Sequence, residues 1–67
     1  MSFGENMKRL REMEGITTAE LADVASVSQP MITKWETGQA LPNVVAGVLI
    51  AKRLGSTVEA MVSQNSD

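Results

Sequence analysis

Apolar residues along this chain recur in short runs at three- and four-residue steps, and small polar residues or glycine separate the runs. Phe3, Met7, Leu10 and Met13 form the first stripe, with Ser2 and Glu5 spaced as a capping box and Gly15 as the stop, which predicts a helix over 3–14. Thr17 and Glu20 repeat the capping-box spacing and open a second helix carrying Ala19, Leu21, Ala22 and Val24, ending near Ala25. Ser28 caps a third helix that stops before Gly38, with Ile32 and Trp35 on one face and Glu36 at its edge. Asn43, after Pro42, starts a fourth helix that ends at Gly55, and Val44, Val48, Ala51 and Leu54 form its expected inward stripe. Ser56 or Thr57 caps a short fifth helix over about 58–63. No useful stretch alternates with the two-residue period of a strand. The pattern predicts an all-α, compact five-helix domain with short connections.

The third helix carries the informative surface. Pro30 falls in its first turn, where a missing N–H costs little because that group has no intrahelical partner. Opposite Ile32 and Trp35 lie Pro30, Thr33 and Lys34, and Gln29 sits at the N-terminal tip. Gln can pair with adenine N6 and N7, Lys reaches guanine O6 and N7, and apolar atoms of Pro or Thr can touch a thymine methyl. The second and third helices are joined by only Ser26, Val27 and Ser28, the tight bend of a helix-turn-helix. Taken alone, such a window more often describes a plain solvated face. The rest of the chain decides.

Over about residues 3–62 the sequence resembles the lambdoid-repressor or Cro-like helix-turn-helix family, also called the XRE family. The matching pieces are GENMKRLREMEGIT, AELADVASVS, ITKWETG, the LPN after the third helix, and IAKRLGSTVEAM. The resemblance implies a lambda repressor-like fold, double-stranded DNA as the partner, a homodimer and short palindromic operators. By position it implies base-reading roles for Gln29, Pro30, Thr33 and Lys34, and DNA-backbone contacts from Thr18, Ser28 and Asn43. It also implies a structural salt bridge between Arg11 and Glu36, where an Arg fork suits the geometry. Two positions depart from the family pattern. Thr18 stands where Gln is frequent and has less reach toward phosphate. Ser26 stands where Gly is frequent, which is expected to strain the turn by about 1 kcal/mol.

Composition narrows the chemistry further. Sixty-seven residues allow one domain, expected over 1–63, with a polar, disordered tail over 64–67. The chain has no cysteine and no histidine, so disulfides, a zinc site and Ser-His or Cys-His nucleophiles are excluded. No metal, no cofactor and no enzymatic activity are expected. No stretch approaches the roughly 20 apolar residues of a membrane span, and the N-terminus lacks the apolar core of a signal peptide. Met1-Ser2 reads as a native start, and the expected location is the cytoplasm of a bacterium, near the nucleoid, with the gene bacterial or phage-borne.

The formal charge of −2 and pI near 4.9 argue mildly against nucleic acid. Local charge matters more: Glu5, Glu20 and Glu59 fall in first turns and Glu36 is paired, while Lys8, Arg9 and Lys34 remain for DNA. With six basic side chains in all, a moderate salt slope is expected.

The fourth helix suggests a second surface. Val45 and Leu49 tend outward and, with Met61 and Val62, are candidates for a dimer or partner interface; a core that wraps further round this helix explains them equally well. Gly47 inside that helix costs roughly 1 kcal/mol against Ala and suggests a close neighbour. Met7, Met13, Met31 and Met61 read as gap-fillers, and Trp35 as the anchor of the third helix. The expectation is a sequence-specific transcriptional regulator, most simply a repressor. The alternative is a protein-interaction module of the same fold with weak or no DNA binding. These residues leave no room for a small-molecule sensing site, so control is expected from abundance, a protein partner or a further domain.

Overall fold

A computed structural model describes residues 3–63 and contains five helices: α1 (Phe3–Glu14), α2 (Thr18–Ala25), α3 (Gln29–Glu36), α4 (Val44–Arg53) and α5 (Val58–Ser63). No strand occurs among the described residues. Ser2, in the expected first capping box, and the expected tail over 64–67 lie outside them.

Helix starts follow the capping chemistry with one exception. Glu20 N–H donates to Thr17 Oγ1 at 3.1 Å and Thr17 N–H donates to Glu20 Oε1 at 2.9 Å, closing the capping box of α2. Asn43 Oδ1 accepts from Ala46 N–H at 2.8 Å. Thr57 Oγ1 accepts from Ala60 N–H at 3.1 Å, which settles the start of α5 on Thr57 rather than Ser56. Ser28 is the exception. It holds the N-cap position of α3 in extended backbone but makes no side-chain cap bond. Between α2 and α3 the turn runs through Ser26 at φ 58°, the left-handed conformation its position demands.

Helix α2 packs on α3 and α4, α1 packs on α3 and α5, and α4 on α5. One core results, built around Met7, Leu21, Ile32, Ile50 and Met61, none of which retains exposed surface. Trp35 joins it from α3 and Phe3 from α1. Each fully buried side chain of this size contributes about 1.5–3 kcal/mol.

Three sequence expectations need correction. Met13 is 70% exposed, so the α1 stripe ends at Leu10; the last turn of α1 runs beyond the core, and the Met13 sulfur instead lies 4.0 Å from Arg9 Nη1. On α4, Val44 and Val48 are not the inward stripe: they are 80% and 40% exposed, and the buried face is Ala46, Gly47, Ile50, Ala51 and Leu54. A Cβ added at Gly47 would meet Val58 and Phe3 only at ordinary van der Waals distance, so the close neighbour expected there does not require glycine. Met61 is fully buried and therefore not part of any free surface.

Two features were not read from the sequence. A Cβ placed on Gly4 would collide with the Trp35 carbonyl oxygen, so only glycine lets α1 meet α3 this closely. Asn6 is completely buried; its amide donates to the Met61 carbonyl, tying α5 to α1, and its Oδ1 accepts from Arg9 Nη2 at 3.1 Å. A polar residue inside an apolar stripe is tolerated because both ends of its amide are bonded.

Candidate nucleic-acid interface

The orientation of α3 follows from two anchors. Ile32 and Trp35 enter the core, so the positions between them must face solvent. Gln29, Pro30, Thr33 and Lys34 are all exposed, and with half-buried Thr18 from α2 they line one shallow concavity. Gln29 Nε2 donates to Thr18 Oγ1 at 2.8 Å across the turn. That direct bond between α2 and α3 was not anticipated; the eleven-residue separation hides it in a linear reading.

At the other end α3 is clamped. Arg11 Nε donates to Glu36 Oε2 at 2.7 Å and Arg11 Nη2 to Glu36 Oε1 at 3.4 Å, while Nη1 donates to the Ile16 carbonyl at 2.9 Å. The side chains are 14% and 6% exposed, so the pair is shielded from water. A fork bonded at three points holds two helices at a fixed angle better than a flexible ammonium would. The last turn of α3 is closed by Thr37 Oγ1 donating to the Thr33 carbonyl at 3.0 Å, and by Gln39 N–H donating to the Lys34 carbonyl at 2.9 Å. The helix is thus fixed at both ends while its outer face stays open.

Ser28 is exposed beside this face, its hydroxyl unused for capping. Asn43 is exposed too, but its Oδ1 is committed to the start of α4, which leaves the amide N–H groups for an outside acceptor. It does not join the Gln29 concavity. With Phe3, Leu41, Val44, Val48 and Val62 it borders a separate, apolar groove between α4 and α5. Val45 and Leu49 are 69% and 40% exposed and Val62 50%.

Lys34 stands on the outer face of α3 and Lys8 on α1, both exposed; Lys52 and Arg53 end α4. Arg11 is taken up by Glu36. Among the described residues no three His, Cys, Asp or Glu side chains gather where they would hold a metal ion. No described helix is long and apolar enough to cross a membrane. What this arrangement offers chemically is a rigid surface with one amide, one hydroxyl-methyl, one ammonium and one pyrrolidine ring turned outward.

Known proteins share both sequence and fold. The family model described as helix-turn-helix matches residues 7–61. The HTH-type transcriptional activator BcrR of Enterococcus faecalis is 33% identical over 63 residues, covering 94% of this chain; the chain spans only 31% of that protein's length. The P22 c2 repressor, solved in complex with a synthetic operator, superposes with a TM-score of 0.86 at 24% identity, over 92% of this chain and 94% of that one. The hydroxypropylphosphonic acid epoxidase from S. wedmorenis gives a TM-score of 0.79 at 26% identity, over 90% of this chain but 32% of the enzyme, and reflects the shared helix-turn-helix fold. The match over most of the chain, on five helices in the same order, places it: the chain belongs to the XRE-type helix-turn-helix family.

Proposed function

We propose that this chain is a sequence-specific DNA-binding transcriptional regulator that reads double-stranded DNA with the outer face of α3. One observation carries the reading: Gln29, Pro30, Thr33 and Lys34 are exposed together on a helix pinned from behind by Trp35 and by the Arg11–Glu36 pair. A major groove admits a helix, and specificity requires side chains that do not relax away when water leaves. In this reading Thr18, Ser28 and Asn43 contact phosphates, and two copies bind a palindromic operator as a dimer. Repression is the simplest regulatory outcome, because a bound dimer occludes a promoter without any additional contact. The Enterococcus relative is named an activator and the P22 protein a repressor, so family membership leaves the direction of control to be measured.

Selection of bound duplexes from a random pool tests the proposal. The wild-type chain is expected to enrich a palindrome, and Gln29→Ala to lose preference at one base pair per half-site with a cost of about 1–3 kcal/mol. The salt slope is expected to stay moderate, since the chain has only six basic side chains and Arg11 is occupied. A slope implying eight or more phosphates per protomer contradicts the model of contacts.

The exposed apolar residues of α4 favour a second reading, in which the same fold serves as a protein-interaction module. No enriched DNA sequence, together with saturable binding to a protein that Leu49→Glu abolishes, would establish that reading instead.

A further inference from the structure

We propose that Met13 is an oxidation site for peroxide, and that Arg9 receives the resulting sulfoxide oxygen. Met13 is 70% exposed in the last turn of α1, beyond the core, whereas Met31 is half-buried and Met7 and Met61 keep no exposed surface. Oxidation of a thioether follows exposure, so peroxide meets Met13 first among these four. The sulfur gives an electron pair to one peroxide oxygen and the O–O bond breaks. The proton on the transferred oxygen passes to the departing hydroxide, which leaves as water. Sulfur is thereby oxidised by two electrons and the peroxide reduced by two.

Its neighbour sets this methionine apart from any other exposed one. Arg9 lies one turn earlier on the same face of α1, with Nη1 4.0 Å from the Met13 sulfur. The guanidinium is held from its other side. There Nη2 donates to Asn6 Oδ1 at 3.1 Å, and the buried Asn6 amide donates in turn to the Met61 carbonyl of α5. A thioether is only a weak acceptor for an N–H donor. A sulfoxide oxygen is a polar one, and added on the side facing Nη1 it falls within hydrogen-bond distance. A charge-assisted bond then replaces a weak contact, and no core packing is disturbed. The relay from the sulfoxide through Arg9 and Asn6 to Met61 joins the end of α1 to α5, so oxidation at Met13 tightens the domain. Oxidation of Met7 or Met61 would instead put a polar oxygen into the core.

The experiment treats the whole chain with hydrogen peroxide, follows each methionine by peptide mass, and reads thermal unfolding before and after. Met13 is expected to gain one oxygen before Met31, and about tenfold faster than Met7 or Met61. Once Met13 is oxidised, the unfolding midpoint is expected to rise by about 2–4 °C. Met13→Leu, which keeps every other methionine, should show no shift under the same treatment, and Arg9→Leu should show none or a small fall. Met13→Gln places a carbonyl oxygen where the sulfoxide oxygen would lie, and Gln and Leu have similar helix propensity. Without any oxidant, Met13→Gln should therefore unfold about 2–4 °C above Met13→Leu, and this comparison decides the role of Arg9 if Arg9→Leu does not fold. Four results overturn the inference: Met31 or a core methionine reacting first, a midpoint that stays or falls when Met13 is oxidised, a rise in Arg9→Leu equal to that of the wild type, or a Met13→Gln midpoint no higher than that of Met13→Leu.

Discussion

Helices α3 and α4 solve opposite problems. In α3 the large side chains, Ile32 and Trp35, go into the core and polar ones face water. In α4 the small residues Ala46, Gly47 and Ala51 are among those facing in, while Val44, Val45, Val48 and Leu49 face out. A helix of the first kind is held firmly and presents hydrogen-bonding groups that discriminate among partners. A helix of the second kind leaves apolar surface in water, which burial against a partner would stabilise. Single exposed valines need no explanation, but Leu41, Val44, Val48 and Val62 border one continuous groove. The molecule thus separates a polar face on α3, the proposed reading face, from an apolar face on α4, the proposed association face, and substitutions can attack each independently.

The largest effect is expected where α1 supports the reading helix. Gly4→Ala drives a methyl into the Trp35 carbonyl, a backbone atom that cannot swing aside. A loss of about 3 kcal/mol or more is expected, comparable to the whole stability of so small a domain, and thermal or urea unfolding followed by circular dichroism will measure it. Preserved stability would mean that α1 and α3 can separate without cost, and that α3 is not rigidly seated.

Next comes the clamp at the far end of α3. Glu36→Gln leaves the shielded Arg11 charge with the Ile16 carbonyl and only the exposed, more distant Glu12 carboxylate at 4.0 Å as counter-charge, at an expected cost of about 2–3 kcal/mol. Replacing both partners by apolar residues, Arg11→Met with Glu36→Leu, should recover most of that loss. Recovery of stability with loss of DNA specificity would show that the pair serves orientation more than stability.

The fold was largely legible because its punctuation is local. Thr17-Glu20, Asn43 and the glycines after α1, α3 and α4 act within a few residues, so spacing alone reveals them. The outward face of α3 was legible for the same reason, since Trp35 and Ile32 leave the neighbouring positions no other direction. What escaped depends on contacts between distant segments. Asn6 looks like a surface residue until the Met61 carbonyl arrives from 55 residues away, and Gly4 looks like a weak helix former until α3 lies against it. On α4 the buried face is rotated from the expected stripe, with Ala46, Ile50 and Ala51 inside and Val44 and Val48 outside, because the whole helix is apolar enough that its sequence alone does not single out one face. Met61 was misplaced with it, being wholly inside. The candidate contacts to phosphate split for a related reason: Thr18 and Ser28 flank the reading helix, whereas Asn43 belongs to the groove beyond it.

The association face yields a subtler test. Val48 borders the groove shared with Val62, whereas Leu49 lies outside it on the same helix. If two copies pair through α4 near Leu49, Leu49→Glu should weaken the dimer about 10- to 100-fold, the equivalent of exposing one leucine, with little change in protomer stability. Val48→Glu should then be the milder change, and sedimentation at matched concentrations will rank them. The reverse order moves the interface to the groove. Equal mass distributions for both variants and a dimeric wild type would remove α4 from the interface.

The smallest effect concerns the turn that sets α3 against α2. Ser26 is the only non-glycine residue with positive φ among those described, and the left-handed conformation costs an L-residue about 1–2 kcal/mol. Ser26→Gly relieves that strain but adds freedom to the unfolded chain, so the net gain should be only about 0.5–1 kcal/mol. Its value lies in what it leaves alone. Helix α2 keeps its Thr17–Glu20 capping box and the backbone bonds from residue 26 to Ala22 and Asp23, and the Gln29–Thr18 bond spans the same turn, so the sequence preference of the proposed reading face should be unchanged while unfolding shifts upward. A stabilised variant with altered base preference would mean that the strained turn itself tilts α3, and that the separation between scaffold and reading face is incomplete at this joint.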